Sequence, residues 1–184
     1  MKKIYLTAII LLLCSVRLVA QQWSVGTNLL GYANMGTLNV EATVAVARHI
    51  TLVADAQLNP WTFARLSESQ KQNRSQSYAA GIRWWPWYVY SGWWVSAKAR
   101  YEEYNRGGWK GPLTQEGDAF GASLGLGYTL MITETFNLEI GAGLWGGRKI
   151  YTTYACPACG SVVEKGRGWF ISPADMMLSL VFIF

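Results

Sequence analysis

Between Phe136 and Leu144 every second residue is apolar: Phe136, Leu138, Ile140, Ala142 and Leu144 are interleaved with Asn137, Glu139, Gly141 and Gly143. Side chains of a strand point alternately to its two faces, so a period of two separates a greasy face from a small or polar one. A helix would scatter the same residues around its axis. The alternation recurs with Leu38, Val40, Ala42, Val44 and Val46 against Asn39, Glu41 and Thr43, and with Ile50, Leu52, Ala54, Ala56 and Leu58 against Thr51, Asp55, Gln57 and Asn59. It returns with Phe120, Ala122, Leu124, Leu126, Tyr128 and Leu130 against Gly121, Ser123, Gly125 and Gly127. About eight such segments are legible, at 23–32, 37–47, 50–60, 76–85, 93–104, 118–131, 136–148 and 170–184.

A chain of 184 residues limits the answer to one domain. It is 51% hydrophobic and only 15% charged, which excludes disorder, and its 19 glycines follow no collagen repeat. Beyond the N-terminus no run reaches the ~18 unbroken apolar residues that a membrane helix needs. High hydrophobicity without such helices points to a transmembrane β-barrel, whose tilted strands cross a bilayer in about 9–11 residues. The connections alternate accordingly: 48–49 and 132–135 are short and 86–92 modest, whereas 61–75, 105–117 and 149–169 are long and polar. Short periplasmic turns and long external loops are the habit of outer-membrane barrels. The expected fold is therefore all-β, an eight-stranded antiparallel transmembrane β-barrel, OmpA-like in size and monomeric, over residues 21–184. In the last segment Met176, Leu178, Leu180, Phe182 and Phe184 alternate to a terminal Phe, which resembles the aromatic signal by which outer-membrane barrels are recognised for assembly. A soluble lipocalin-like barrel would turn its apolar faces inward instead.

Residues 1–20 read as a secretory signal peptide: Lys2 and Lys3, an apolar stretch from Ile4 to Val16, then Leu18-Val19-Ala20 before Gln21. A lipoprotein signal at Cys14 would want a small residue where bulky Leu13 stands. Removing Lys2, Lys3 and Arg17 lowers the formal charge from +5 to +2. The basic balance thus belongs largely to the leader, and no nucleic-acid partner is expected.

Thr27-Asn28-Leu29-Leu30, Leu58-Asn59-Pro60-Trp61-Thr62-Phe63, Arg83-Trp84-Trp85 and Cys156-Pro157-Ala158-Cys159-Gly160 together resemble a family of uncharacterised outer-membrane proteins of Gram-negative gut anaerobes. The resemblance spans nearly the whole chain after residue 20. That family is known only as a domain of unknown function, and its members are often encoded near fimbrillin-type surface-fibre genes. The resemblance implies an outer-membrane location and a surface-fibre or other cell-envelope partner. It implies no activity.

If the apolar faces meet lipid, Glu41, Asp55, Arg83, Lys98, Arg100, Glu102 and Glu139 point inward. An eight-stranded barrel leaves room only for side chains, so these are expected to pair as an ionic network that closes the lumen; the competing reading is a narrow pore. Cys156 and Cys159 form a Cys-x-x-Cys in the longest loop. A redox pair there lacks the helix N-terminus that lowers a thiol pKa, and zinc lacks two further ligands, since the single His49 sits in a turn at the other end. A local disulfide in an oxidising compartment is the expectation, with no metal and no cofactor. Hydrolase chemistry would need an acid/base constellation at the external rim; with the sole His at the other rim and no Gly-x-Ser-x-Gly elbow, it would require an unusual base such as Asp175 or Glu164, so no enzyme is expected.

The aromatics gather at two levels, as interfacial girdles do. One level holds Trp84, Trp85, Trp87, Tyr88, Tyr90, Trp93 and Trp94; the other holds Trp61, Phe63, Tyr101, Tyr104, Trp109, Trp145, Trp169 and Phe170. Trp61 and Trp109 are candidate stacking platforms for a glycan. Across the long loops Arg65, Lys71, Arg74, Arg106, Lys110, Arg148, Lys149, Lys165 and Arg167 outnumber Glu68, Glu116, Asp118 and Glu164. Such a basic ring suits anionic lipid such as lipopolysaccharide, with Arg106, Lys110, Lys165 and Arg167 the candidate contacts. The expected function is a surface interaction or assembly accessory acting through external loops; the alternative is a narrow channel or transporter for a small solute.

Overall fold

The alternating segments lie in strands, the first of them only as far as Asn28, and the strands close on themselves. In chain order they are β1 (Trp23–Asn28), a short helix α1 (Leu29–Ala33), β2 (Leu38–Ala47), β3 (Ile50–Asn59), β4 (Thr62–Phe63), β5 (Lys71–Trp84), β6 (Gly92–Gly107), β7 (Thr114–Met131), β8 (Phe136–Tyr154) and β9 (Val162–Ile183). The computed structural model describes residues 23–63, 65, 70–109, 111–157 and 160–184, the side chain of Asp175 excepted. The expected signal peptide, with Glu68, Lys110 and Cys159, lies outside the described residues.

Every pairing is antiparallel, and β9 returns to β1 through Ser24–Asn28 against Ile183–Ser179. Eight strands thus form a ring in the order β1-β2-β3-β5-β6-β7-β8-β9, while β4 is a two-residue addition to β5. At the seam Trp23 and Phe184 exchange backbone hydrogen bonds of 3.1 and 3.0 Å.

The ring is apolar outside and polar within. Leu124, Leu144 and Ile82 are more than half exposed, whereas Thr51, Arg83, Ser123 and Glu139 are at most 1% exposed. Three connections at one end are short, at 48–49, 85–91 and 132–135; the other end carries α1 and the links 60–70, 108–113 and 155–161.

Strand lengths depart from expectation. β5 begins at Lys71, β6 ends at Gly107, β7 begins at Thr114, β8 ends at Tyr154 and β9 begins at Val162, so strands reach well into each supposed long loop and take up most of 149–169. In these extensions both faces are polar, as in Gln72–Gln76 and Thr114–Asp118, and alternation disappears; backbone pairing needs no apolar face. Conversely β1 stops at Asn28 rather than continuing to residue 32, because the Asn28 side chain accepts from the Leu30 N–H (3.0 Å) and caps α1.

The girdle expectation also needs correction. Trp85, Tyr90 and Trp94 are buried inside with Met177, Val181 and Ile183, and Tyr104 and Trp145 are buried near the other end with Phe170 against them. Parity is the cause: Trp94 follows Ser96, Lys98 and Arg100 inward, and Trp145 follows Glu139. Tyr90 enters from the 85–91 turn at φ 63, an uncommon conformation for a non-glycine residue. Its main-chain oxygen accepts from Asn137 Nδ2 (2.9 Å), and its hydroxyl accepts from Thr43 (3.1 Å). Trp84, Trp87, Tyr88 and Trp93 do remain exposed.

Inward glycines are the counterpart of these indoles. A Cβ on Gly127 would lie 2.2 Å from the Trp94 ring and one on Gly141 2.9 Å, so the glycines of β7 and β8 hollow the space that Trp94 fills. Gly127→Val is expected to cost about 1–3 kcal/mol by overpacking, with part regained when Trp94 is shortened to Leu. Urea titration of the single and double variants checks this.

Candidate functional site

Arg83 stands on the inner face of β5, facing β2 and β8 across the lumen. Its guanidinium reaches Glu41 at 2.8 Å and Glu139 at 3.0 Å, and lies 4.1 Å from the Trp94 ring centroid and 5.8 Å from that of Trp85. Glu139 also accepts from the Thr129 hydroxyl at 3.1 Å. A second group lies on β3 and β6, where Asp55 takes Lys98 at 2.9 Å and Arg100 at 3.7 Å. Arg100 in turn lies 5.7 Å from the Trp145 ring centroid. The inner charges are thus stacked between aromatics at both ends, where a cation over a ring face gains electrostatic energy from its quadrupole.

Beyond Trp145 the lumen opens into a hollow of about 700 Å³ at the end where β5–β9 extend furthest. Tyr104, Trp145 and Phe170 line it with Glu102, Arg106 and Lys149. Arg106 is bonded to Glu102 and donates to Asn73 Oδ1 at 3.0 Å, while Lys149 lies 5.1 Å from the Tyr151 ring centroid. Lys165 and Arg167 stand on β9 opposite Thr152 and Ile150, on the outer face. The four residues expected to form one basic ring are therefore divided: Arg106 at the lumen mouth, Lys165 and Arg167 outside, and Lys110 outside the described residues. Once the loops become strands, alternation and not loop freedom decides where each cation points.

Acids share the outer face elsewhere. Glu103, Glu116 and Asp118 line, together with Arg74, a hollow of about 570 Å³ on the outside of β5–β8, while Arg148, Lys165 and Arg167 stand outward on β8 and β9. At the far end of β8 the Tyr151 and Tyr154 hydroxyls donate to Glu164 (3.0 Å) and Glu116; the bonds to carboxylates push both phenols up from their ordinary pKa.

A family model described as a protein of unknown function, DUF3575, matches residues 6–184. The chain belongs to the DUF3575 family. No curated protein matches it in sequence. Family membership of this DUF3575 chain thus brings no assigned chemistry, and its geometry has to speak for itself.

The remaining candidates are held by local contacts. Trp61 donates its indole N–H to the Gly36 carbonyl (3.0 Å), and Trp109 donates to Gln72 O (3.3 Å) with the Lys71 ammonium 5.3 Å from its ring centroid. Both rings stay about half exposed. Cys156 lies in the link after β8, and its expected partner Cys159 is outside the described residues. His49 bonds the Trp85 carbonyl (3.0 Å) in the turn at the opposite end. Among the described residues no group of three or more His, Cys, Asp and Glu side chains is placed to hold a metal. The inner site residues were legible from parity alone. Trp94 and Trp145 were open to the same argument, whereas Tyr90 follows a turn geometry that leaves no periodic trace.

Removing one partner of a buried pair leaves a charge uncompensated, which costs about 3–5 kcal/mol. Arg83→Met is expected to lose about that much, and Arg83→Met with Glu41→Gln and Glu139→Gln to recover most of it. Denaturation midpoints of the three proteins decide; equal loss in single and triple variants would mean that packing and not charge is at stake.

Proposed function

We propose that this chain is a monomeric transmembrane β-barrel of a Gram-negative outer membrane, whose projecting strand ends act as a surface interaction or assembly accessory. The observation that carries the reading is the inversion of the ring, with ion pairs inside and apolar side chains outside. From Val95 to Ala99, Ala122 to Leu126, Ile140 to Leu144 and Leu178 to Phe182 the outer face holds no charge. Among the described side chains of β6–β9, charge returns to that face at Glu103, Asp118, Arg148 and Arg167. A band of this kind suits hydrocarbon, and a closed ring leaves no strand edge that lipid would have to solvate.

The filled lumen favours interaction over transport. Arg83, Glu41 and Glu139 lie against Trp85 and Trp94, where a solute would have to pass. What projects beyond the apolar band is the polar upper part of β5–β9, and that surface is the part available to a cell-envelope partner. Arg148, Lys165 and Arg167 stand at the margin of the band, where phosphates of lipopolysaccharide would lie and each exposed cation gains on the order of 1 kcal/mol. A Cys156–Cys159 disulfide in an oxidising compartment would brace the link between β8 and β9.

In planar bilayers the purified protein is expected to give no steady unitary conductance, and discrete steps would favour the channel instead. Leu124→Arg, in the middle of the band, is expected to weaken folding into liposomes by about 2–4 kcal/mol. Unchanged liposome stability would contradict a lipid-facing band.

A further inference from the structure

β9 is paired along its whole length on one side only. Towards β8 the register runs from Tyr154 against Val162 to Phe136 against Phe182. Towards β1 it covers Ser179–Ile183 and stops. Just above, the Asn28 side chain takes the place of a strand: Nδ2 donates to Met176 O (3.0 Å) and Oδ1 accepts from Leu178 N (3.1 Å). Pro173 then contributes no N–H at all. Above Pro173 no described residue pairs with this edge.

Its polarity follows from the seam. Trp23 and Phe184 exchange their backbone bonds, so the outward-facing residues of β9 turn N–H and C=O towards the β1 side. Strand direction and L-chirality preserve that relation past the bulge where Gly141–Gly143 oppose Met177–Ala174. Lys165, Arg167 and Trp169 are the outward residues here, with Trp169 78% exposed; above them a second register shift, where Thr153–Tyr154 oppose Glu164–Val162, ends the regular row. Their main-chain donors and acceptors therefore form an open row. The opposite edge of the same wall is treated differently, because β4 covers β5 with Thr62 against Gln72 and Phe63 against Lys71.

We propose that the open edge of β9, from Lys165 to Trp169, accepts an extended acidic segment of a partner protein as an added strand. The inference deepens the surface-accessory reading and rests on it for the accessibility of this end of the ring. Strand addition draws affinity from main-chain bonds and specificity from alternate side chains. The alternate side chains here are Lys165, Arg167 and, across Arg148, Trp169. Opposite charges directly across a strand pair stabilise and like charges destabilise, which selects glutamate or aspartate beside Lys165 and Arg167. A second copy of this chain is the poorer occupant, because antiparallel pairing of two such edges about Gly166 would set Lys165 of one copy opposite Arg167 of the other.

The test uses the full chain in detergent with a seven-residue, end-capped peptide alternating glutamate and valine. Binding is expected to slow amide hydrogen exchange at Lys165, Arg167 and Trp169 and to leave their even-numbered neighbours unchanged. Arg167→Pro removes one open-edge N–H without touching the β8 ladder and should weaken binding about tenfold or more. As a control that leaves the protein unaltered, the peptide N-methylated at alternate amides on its pairing edge should bind equally poorly. Lys165→Glu with Arg167→Glu should shift preference to a lysine–valine peptide. The proposal is overturned by no binding, by binding indifferent to N-methylation, or by a dimer in sedimentation that Arg167→Pro dissolves. None of these measurements involves a bilayer, so their failure is separable from failure of the conductance and liposome tests.

Discussion

Closure of the sheet through the short β1–β9 seam is the constraint from which the rest of this structure descends. Once Ser24–Asn28 meet Ile183–Ser179, every strand of the ring has an inside and an outside, and a slip of one residue anywhere would exchange the two faces. Eight strands leave an interior that only side chains can fill, so its occupants must fit one another as well as their own strands. The Trp94 indole over Gly127 and Gly141 is one result; the Arg83 guanidinium between Glu41 and Glu139 is another.

A polar interior carries a stricter requirement than an apolar one. Buried charges cost several kcal/mol each to dehydrate, and only mutual pairing in good geometry returns that energy. Arg83 and Asp55 each meet two opposite charges, and aromatic rings cover the remaining faces of Arg83 and Arg100. The same contacts that stabilise the ring also fill it. Stability and obstruction of the lumen thus have one physical origin.

The upper part of the molecule obeys other rules. There β5–β9 continue as a wall after β1, β2 and β3 have stopped, and a wall has two edges where a ring has none. One edge is covered by β4, and no described residue pairs with the other. Exposed strand edges are templates for further pairing, and proteins commonly guard them with charge and proline. On β9, Pro173 guards the part nearest the apolar band, while Lys165 and Arg167 bias what can join the remainder.

The period of two determined by itself that this chain makes strands, which side of each is apolar, and which charges share the interior: Glu41, Asp55, Arg83, Lys98, Arg100 and Glu139 all follow from parity with their neighbours. Membership of a family of unknown function was also expected, and the family model matches residues 6–184. Parity also separates an outward Trp93 from an inward Trp94, whereas only the tertiary structure decided that Tyr90 leaves the surface, since it enters from a turn that has no period. It also decided how far the strands run, because polar extensions such as Gln72–Gln76 pair through backbone groups that are the same in every residue. The division of the basic residues between lumen mouth and outer face, and the open edge of β9, depend on register and on where β1 stops. Those are properties of chain segments brought together over more than a hundred residues, and no local pattern records them.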